Sequence, residues 1–495
     1  MPLPSYLPEE DPTDKYSADF SGVSDKEIDI MNAARTMTEN MINIHYDDIP
    51  ADVTDFTKKH ILDYLGVALG GSSRPGIREL YEIIADWGGK EESTVLCFGH
   101  KVPAPNAAQV NASMGHALDY DDTGDGPTHP SVVIVPTCLA VAERKGNVSG
   151  KEFITAVTLG MDMMCRLGQA FRSGIKSTLV KGHPGAGWHL TCVFGFIAAA
   201  GAAGKLMDLD EETLHNALGI AYHQSSGNGQ CVTEGALTKR MGPGFAARGG
   251  IVSALMAQKG ITGAREFIDG EVGLYNLYFK GEYDPEPLTA NLGKYFAGTT
   301  AGMKPHPCCK GTHDYVDVAT TLVEKYKLKA EDIKEVIIFC TDETNFLLHP
   351  LKKRSRPENP VDSQFSVPWA VAVVLLRGKA GVGDFTEEAI RNPEILRITD
   401  MVRVVRDDSL VETKGMCPAK IGVTTADGRT FIEQSGAPVA GAGNDSPLEV
   451  YERKFRDCAS YSIKPLPGER IDAIIDKIKN LESVDNISEI IDLLS

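Results

Sequence analysis

From Lys26 to about Lys280, segment after segment places apolar residues at three-to-four spacing, and the segments are rich in glycine and alanine. This feature constrains the fold most. A period near 3.6 gives each segment one apolar stripe, and small residues let helices approach closely, so the region predicts a compact helical bundle. The predicted helices are Met31 to His45, Val53 to Leu69, Val132 to Glu143, Gly150 to Phe171, Leu190 to Leu206, Glu211 to His223 and Phe245 to Lys259. The second starts after Ile49-Pro50-Ala51-Asp52, where proline suits a first turn, and ends at Gly70-Gly71.

The texture changes near residue 300. Ile333 to Cys340, Val402 to Val405 and Lys420 to Thr425 are β-rich, and Asp427-Gly428 before Arg429 to Ile432 signals a hairpin. Val316 to Tyr326 and Pro368 to Leu376 are predicted helices between them. A chain of 495 residues exceeds the usual size of one core. The expectation is a mostly α protein with an α+β second domain: a polar tail over 1–25, a helical domain over 26–300, an α+β domain over 301–440 and helices over 441–495. Residues 438–447 read as a linker.

The net charge of −18 argues against nucleic acid or an anionic membrane as partner, since both need a basic surface. It leaves room for a small anion in a locally basic cleft. The N-terminus has no apolar core of a signal peptide, and the most apolar run, Leu190 to Met207, contains Lys205 and reads as a buried helix. Ten cysteines without a framework of spacings suggest reduced thiols and a cytoplasmic protein.

Four segments could carry chemistry. Asp119, Asp121, Asp122, Asp125 and His129 crowd a Gly/Pro turn that also holds Thr123. Crowded carboxylates raise one another's pKa, which suits acid–base work, although Asp122 or Thr123 could equally cap a helix. Lys181, His183 and His189 lie around a glycine-rich turn before a helix, where the dipole favours a neutral imidazole; a packed, capping histidine is the plainer alternative. Lys239 and Arg240 sit in a Gly/Pro turn before a helix start, either a carboxylate clamp or a solvated basic turn. Lys304, His306, Cys308, Cys309 and His313 mark the domain junction, either a small-molecule site or a stiff connector.

Metalloprotease, nucleophile-elbow and phosphate-loop motifs are absent from the sequence, and nothing in it points to NAD, ATP or an iron–sulfur cluster. A zinc hydrolase using Asp121, His129, His183 and His189 is an alternative whose spacing matches no ligand rule.

In order and spacing, ALDYDDT with THPS, GWH, LTKR with GFAAR, and KPHPCC resemble the MmgE/PrpD family from about residue 30 to 490. That family includes 2-methylcitrate dehydratases, cis-aconitate decarboxylases and iminodisuccinate epimerases. The resemblance implies that the last helices return to the helical domain and that the α+β segment forms a lid. It also implies a homodimer with no metal or organic cofactor, and a small polycarboxylate substrate. It implies His129, His189, Asp119 and Lys304 as catalytic residues. Thr123, Lys239 and Cys309 follow as substrate-binding residues, and Trp369 stands in a segment that carries a tyrosine in the decarboxylases.

All three reactions develop negative charge beside a carboxylate. Lys239, Lys304 and Arg240 are therefore expected to bind carboxylates, His129 and His189 to serve as acid and base, Asp119 to orient a histidine, and Thr123 to hydrogen-bond substrate. A lyase is the leading expectation. An epimerase and a non-catalytic carboxylate binder are the alternatives.

Overall fold

The computed structural model describes residues 33–124, 126, 128–171, 187–341, 345–410, 418–436 and 446–495. The tail over 1–25, Asp125, Lys181, His183 and most of the proposed linker lie outside the described residues.

The helices that position the site are α1 (Ala51–Gly71), α2 (Ala104–Gly115), α3 (Ser131–Lys145), α4 (Gly150–Ala170), α5 (Leu190–Leu206), α6 (Glu211–Gln224) and α7 (Thr238–Gln258). They share one hydrophobic core with the C-terminal helices α10 (Leu448–Ala459) and α11 (Gly468–Lys479). α5 is buried along almost its whole length, as its Ala/Gly composition requires. Its closest partner is α7, and glycine makes that approach possible. A Cβ on Gly250 would lie 2.4 Å from that of Ala199, nearer than two carbons can sit.

Helix α7 corrects the sequence reading. It begins at Thr238 rather than Phe245 and runs through Gly242-Pro243-Gly244. Lys239 and Arg240 are thus helical, not turn residues. The close packing of Gly242 on Cys192 and of Gly244 on the Gln109 carbonyl accompanies a helix that propensity alone disfavours.

The second core collects residues 308–423, with Val232 from the helical part. Its sheet has strands β1 (Ile333–Cys340), β2 (Val402–Arg406), β3 (Lys420–Thr425) and β4 (Thr430–Gln434) in the order β2-β1-β3-β4. β1 and β2 are parallel, with Val336 opposite Val402; β1 and β3 are antiparallel, with Ile338 opposite Ile421. The Asp-Gly hairpin forms as expected, with Gly428 at φ +89°, a left-handed value glycine adopts without strain. Helices α8 (Lys310–Tyr326) and α9 (Val367–Arg377) belong to this core. Among the described residues, no helix is long and apolar enough to cross a membrane.

Candidate active site

The site is built where α2 stops. The chain turns at His116, and Asp119 takes a left-handed conformation, φ +52°, which aspartate tolerates better than most residues. Thr123 then pairs with Gly302 through both backbone hydrogen bonds, each 2.9 Å, tying the acidic loop to the domain junction. α3 starts at Ser131, whose backbone N–H and hydroxyl both donate to Asp122. Asp122 thus ties the loop to the first residue of α3, although Pro130 and not Asp122 holds the N-cap position, and it also faces His60 Nδ1 at 3.2 Å.

Asp119 is buried between two lysines. Lys239 donates to its Oδ1, and Lys304 donates to its Oδ2 and its carbonyl, each at 3.0 Å. Burial alone would raise the Asp119 pKa, but the two ammonium groups hold it well below the usual carboxylate range. Burial likewise works against the Lys304 charge, and Asp119 and Asp121 reverse it, so that its pKa is raised. Each ammonium has three N–H donors. Among the described residues, the hydrogen bonds named leave one on Lys304 and two on Lys239 for a ligand.

Orienting a histidine falls to Asp121, not to Asp119. Its Oδ2 lies 2.8 Å from His116 Nδ1 and 3.0 Å from His129 Nδ1. The His116 ring lies between the other two, its centroid 5.0 Å from that of His129 and 5.9 Å from that of His189. Burial lowers the His116 pKa to about 4 despite Asp121. Burial, then His116 and Lys239, push His189 well below the ordinary imidazole value. His189 is the N-cap of α5, with Nδ1 2.8 Å from Cys192 Sγ.

Three buried polar atoms around this cluster lack a hydrogen-bond partner among the described residues: Thr123 Oγ1, His116 Nε2 and Asp121 Oδ1. Orphaned buried groups are costly, and all three belong to the segment that carries Asp119, whose lysine partners keep the unspent donors counted above. Beside His189 and Lys239, a cavity of about 260 Å³ is lined also by Phe196, Asn228, Cys231 and Phe245.

Residues of the second core also border the site. Cys309 precedes α8 and donates its backbone N–H to the Gln364 carbonyl, while the Gln364 amide donates to the Ala117 carbonyl. Burial, with Asp119 next, raises the Cys309 thiol, so it is neutral. The Phe365 ring lies 5.1 Å from Lys239 Nζ.

Two expected residues have other surroundings. Trp369 is buried in the second core, its indole N–H donating to the Asp384 carbonyl at 3.0 Å. Arg240 is buried and donates to the Pro75 carbonyl at 2.9 Å; burial and nearby Arg74 lower its pKa to about 10. Packing decides both: an aromatic ring on an apolar helix joins the core, and an arginine adjacent to Lys239 on a helix points elsewhere around it.

His116, Cys192 and Lys454 were not read from the sequence. Lys454 pairs with Asp63 at 2.7 Å and donates to the carbonyls of Tyr120 and Lys304, fastening α10 and α1 beneath the site. Its signal was available: a lysine three residues after Tyr451 and four before Cys458, on the buried face of an apolar helical stripe.

The ligand atoms of His116, Asp121 and His129 lie within 4.8 Å of one another, close enough for a metal ion. His129 Nδ1 also lies 2.6 Å from the Asp122 carbonyl, a distance that calls for a proton on that nitrogen. The cluster is thus arranged as hydrogen-bonded imidazoles on a carboxylate. His183 of the zinc alternative lies outside the described residues.

This combination of a two-domain helical fold and a lysine- and histidine-lined site between the cores agrees with the sequence comparisons. Residues 35–286 match the MmgE/PrpD N-terminal domain and residues 306–480 the MmgE/PrpD C-terminal domain. The chain belongs to the MmgE/PrpD family. It is 28% identical to the cis-aconitate decarboxylase-like protein oryM of Aspergillus oryzae, over 90% of this chain and 94% of the relative. It is 26% identical to the cis-aconitate decarboxylase of Aspergillus terreus, over 92% and 94%. It is also 23% identical to the 2-methylcitrate dehydratase of Escherichia coli, over 70% and 72%. Relatives with these names are enzymes of the lyase type.

Proposed function

We propose that the chain is a lyase that decarboxylates a small unsaturated tricarboxylate of the cis-aconitate kind by moving a proton, without an organic cofactor. The observation that carries this reading is the Asp119–Lys239–Lys304 cluster, which among the described residues leaves lysine donors unspent and Thr123 Oγ1 without a partner. Those donors bind substrate carboxylates and stabilise the anion that forms. Loss of one carboxylate as CO₂ leaves the C–C electron pair conjugated with the double bond, and a proton from a histidine N–H completes the product. Relatives named for this activity support the choice. Dehydration is the second reading, supported by the relative named for it.

Proton NMR in D₂O with cis-aconitate, 2-methylcitrate, citrate and iminodisuccinate tests this. A deuterated, decarboxylated product from cis-aconitate is the expected result. Vinyl signals from 2-methylcitrate would select dehydration, and inversion of iminodisuccinate would select epimerisation. Folded protein inert toward all four would remove the enzymatic reading in favour of carboxylate binding.

We further propose a homodimer joined through a face where Ile83, Trp87, Leu237 and Phe245 remain 38–57% exposed. Arg248 lies over the Trp87 ring, and Leu237 packs beside Gly76, so the four residues come from adjoining helices. Sedimentation should report a dimer for the wild type and a monomer for Trp87→Glu with Phe245→Glu. A monomeric wild type would contradict it.

A further inference from the structure

We propose that the two site histidines hold opposite tautomers with separate duties: His129 carries the reacting proton, and His189 is a fixed hydrogen-bond donor. Asp121 and Cys192 are the positioning residues that set them apart. The proposal rests on the proton-transfer reading above.

The partner of each Nδ1 decides which nitrogen keeps the proton. His129 Nδ1 lies 2.6 Å from the Asp122 carbonyl and 3.0 Å from Asp121 Oδ2. A carbonyl and a carboxylate only accept, so Nδ1 must donate. In the neutral ring Nε2 then has a lone pair and can take a proton. When it does, the imidazolium charge sits against the Asp121 carboxylate, which His116 Nδ1 steadies from a second direction at 2.8 Å. His116 and His129 hold Asp121 well below the usual carboxylate range, against the effect of burial, so the carboxylate stays charged.

His189 has a different neighbour. Its Nδ1 faces Cys192 Sγ at 2.8 Å, one turn along α5. Burial raises the Cys192 thiol, which therefore keeps its proton. Sulfur is a weak acceptor and imidazole nitrogen a good one, so the S–H donates to Nδ1. Nε2 then carries the ring proton. Packing fixes the thiol: a Cβ on Gly242 would fall 2.4 Å from Cys192 Sγ, and one on Gly227 would fall 2.4 Å from Cys192 Cβ. Because its ring resists a second proton, His189 serves as a neutral donor to the developing oxyanion.

The proton balance follows. In decarboxylation His129 Nε2 first takes a proton from water; the C–C pair left by CO₂ then forms the new C–H bond with that proton, and the N–H pair returns to the ring. In proton abstraction the same two atoms exchange the proton the other way. The His189 N–H bond stays intact in both.

Nitrogen NMR of wild-type enzyme labelled with ¹⁵N-histidine tests the assignments without turnover, using His129→Gln and His189→Gln to identify signals. The expected spectrum shows His129 protonated at Nδ1 and His189 protonated at Nε2. A His189 protonated at Nδ1 would overturn the proposal. In kinetics, Asp121→Asn should lower kcat by roughly 10²- to 10⁴-fold, the scale of losing a carboxylate behind a catalytic imidazole, with little change in KM. Cys192→Ala should lower kcat about 10-fold, toward the small end of acid–base effects, and Cys192→Ser, which retains a donor, should recover most of it. Cys192→Ser as slow as Cys192→Ala, or Asp121→Asn at the wild-type rate, would contradict the duties assigned. If Asp121→Asn does not fold, the wild-type spectrum and the Cys192 pair decide. An enzyme inert toward every acid yet showing both expected tautomers would support the ring assignments and refute the lyase reading.

Discussion

Two buried ion clusters in the helical domain look alike in composition and differ in how completely they are satisfied. Asp162 and Arg166 pair along α4 at 2.8 Å. Arg166 spends its other bonds on the carbonyls of Pro287, Ala290 and Tyr295, and Asp162 also accepts from the Ala297 amide. That pair clamps the chain after α7 onto the bundle and leaves little to offer a ligand. The Asp119–Lys239–Lys304 cluster is just as buried but retains lysine donors, and Thr123 Oγ1, His116 Nε2 and Asp121 Oδ1 beside it have no partner among the described residues. A buried charge with its bonds filled holds the fold. A buried charge with bonds left open is prepared for a guest. On the proposed reading, a bound carboxylate would complete the open cluster and offset its desolvation cost.

This contrast predicts a crossed pattern of damage. Arg166→Met leaves Asp162 as an unpaired buried carboxylate and should cost about 3–5 kcal/mol of stability, measured by denaturant unfolding. Lys304→Met should reduce kcat/KM by about 10³-fold, the scale of losing one oxyanion-stabilising donor, while costing less stability than Arg166→Met because Lys239 still neutralises Asp119. If Lys304→Met unfolds the protein and Arg166→Met only slows it, the comparison is wrong.

The histidines sharpen the contrast through pH. His116 has its folded pKa lowered to about 4. The unfolded state binds the proton first, so stability is full above an unfolded pKa of about 6.5 and falls as pH drops from there toward 4. Wild type should therefore lose stability over that window, and His116→Gln should lose less. Asp119 has the opposite chemistry and a lower window: its depressed pKa gives stability present above about pH 4 and lost on further acidification. Parallel unfolding curves for wild type and Asp119→Asn between neutral pH and the acid limit would contradict the charged cluster.

The smallest effect is the most discriminating. Thr123→Val removes an orphaned hydroxyl, so it should leave stability unchanged or raise it by about 1 kcal/mol. The same change should raise KM for substrate about 10-fold, the equivalent of one hydrogen bond. A loss of stability with no effect on KM would make Thr123 structural.

Much of this was legible before any coordinates. α5 coincides with the residues its periodicity predicted, β1 and β3 do as well, and the Asp-Gly hairpin forms. Such features are local: periodicity and turn chemistry sit in adjacent residues. The acidic loop, His189, Lys239 and Lys304 meet as expected, although Asp119 holds lysines where it was expected to hold a histidine. The misses are of another kind. Spacing cannot tell which of Asp119 and Asp121 faces the imidazoles when a left-handed residue redirects the chain. Nor can it send Trp369 into the second core, Arg240 to the Pro75 carbonyl or Lys454 beneath the site, because those outcomes depend on packing between distant segments.

The most direct test of the central claim is calorimetric titration of the wild type and Lys304→Met with propane-1,2,3-tricarboxylate, an acid with no double bond to react. The open cluster predicts one site per chain in the wild type and an affinity at least about 10²-fold weaker in Lys304→Met, the scale of a lost charged hydrogen bond. Equal affinity in the two proteins would mean that the unspent donors are not where the carboxylates bind.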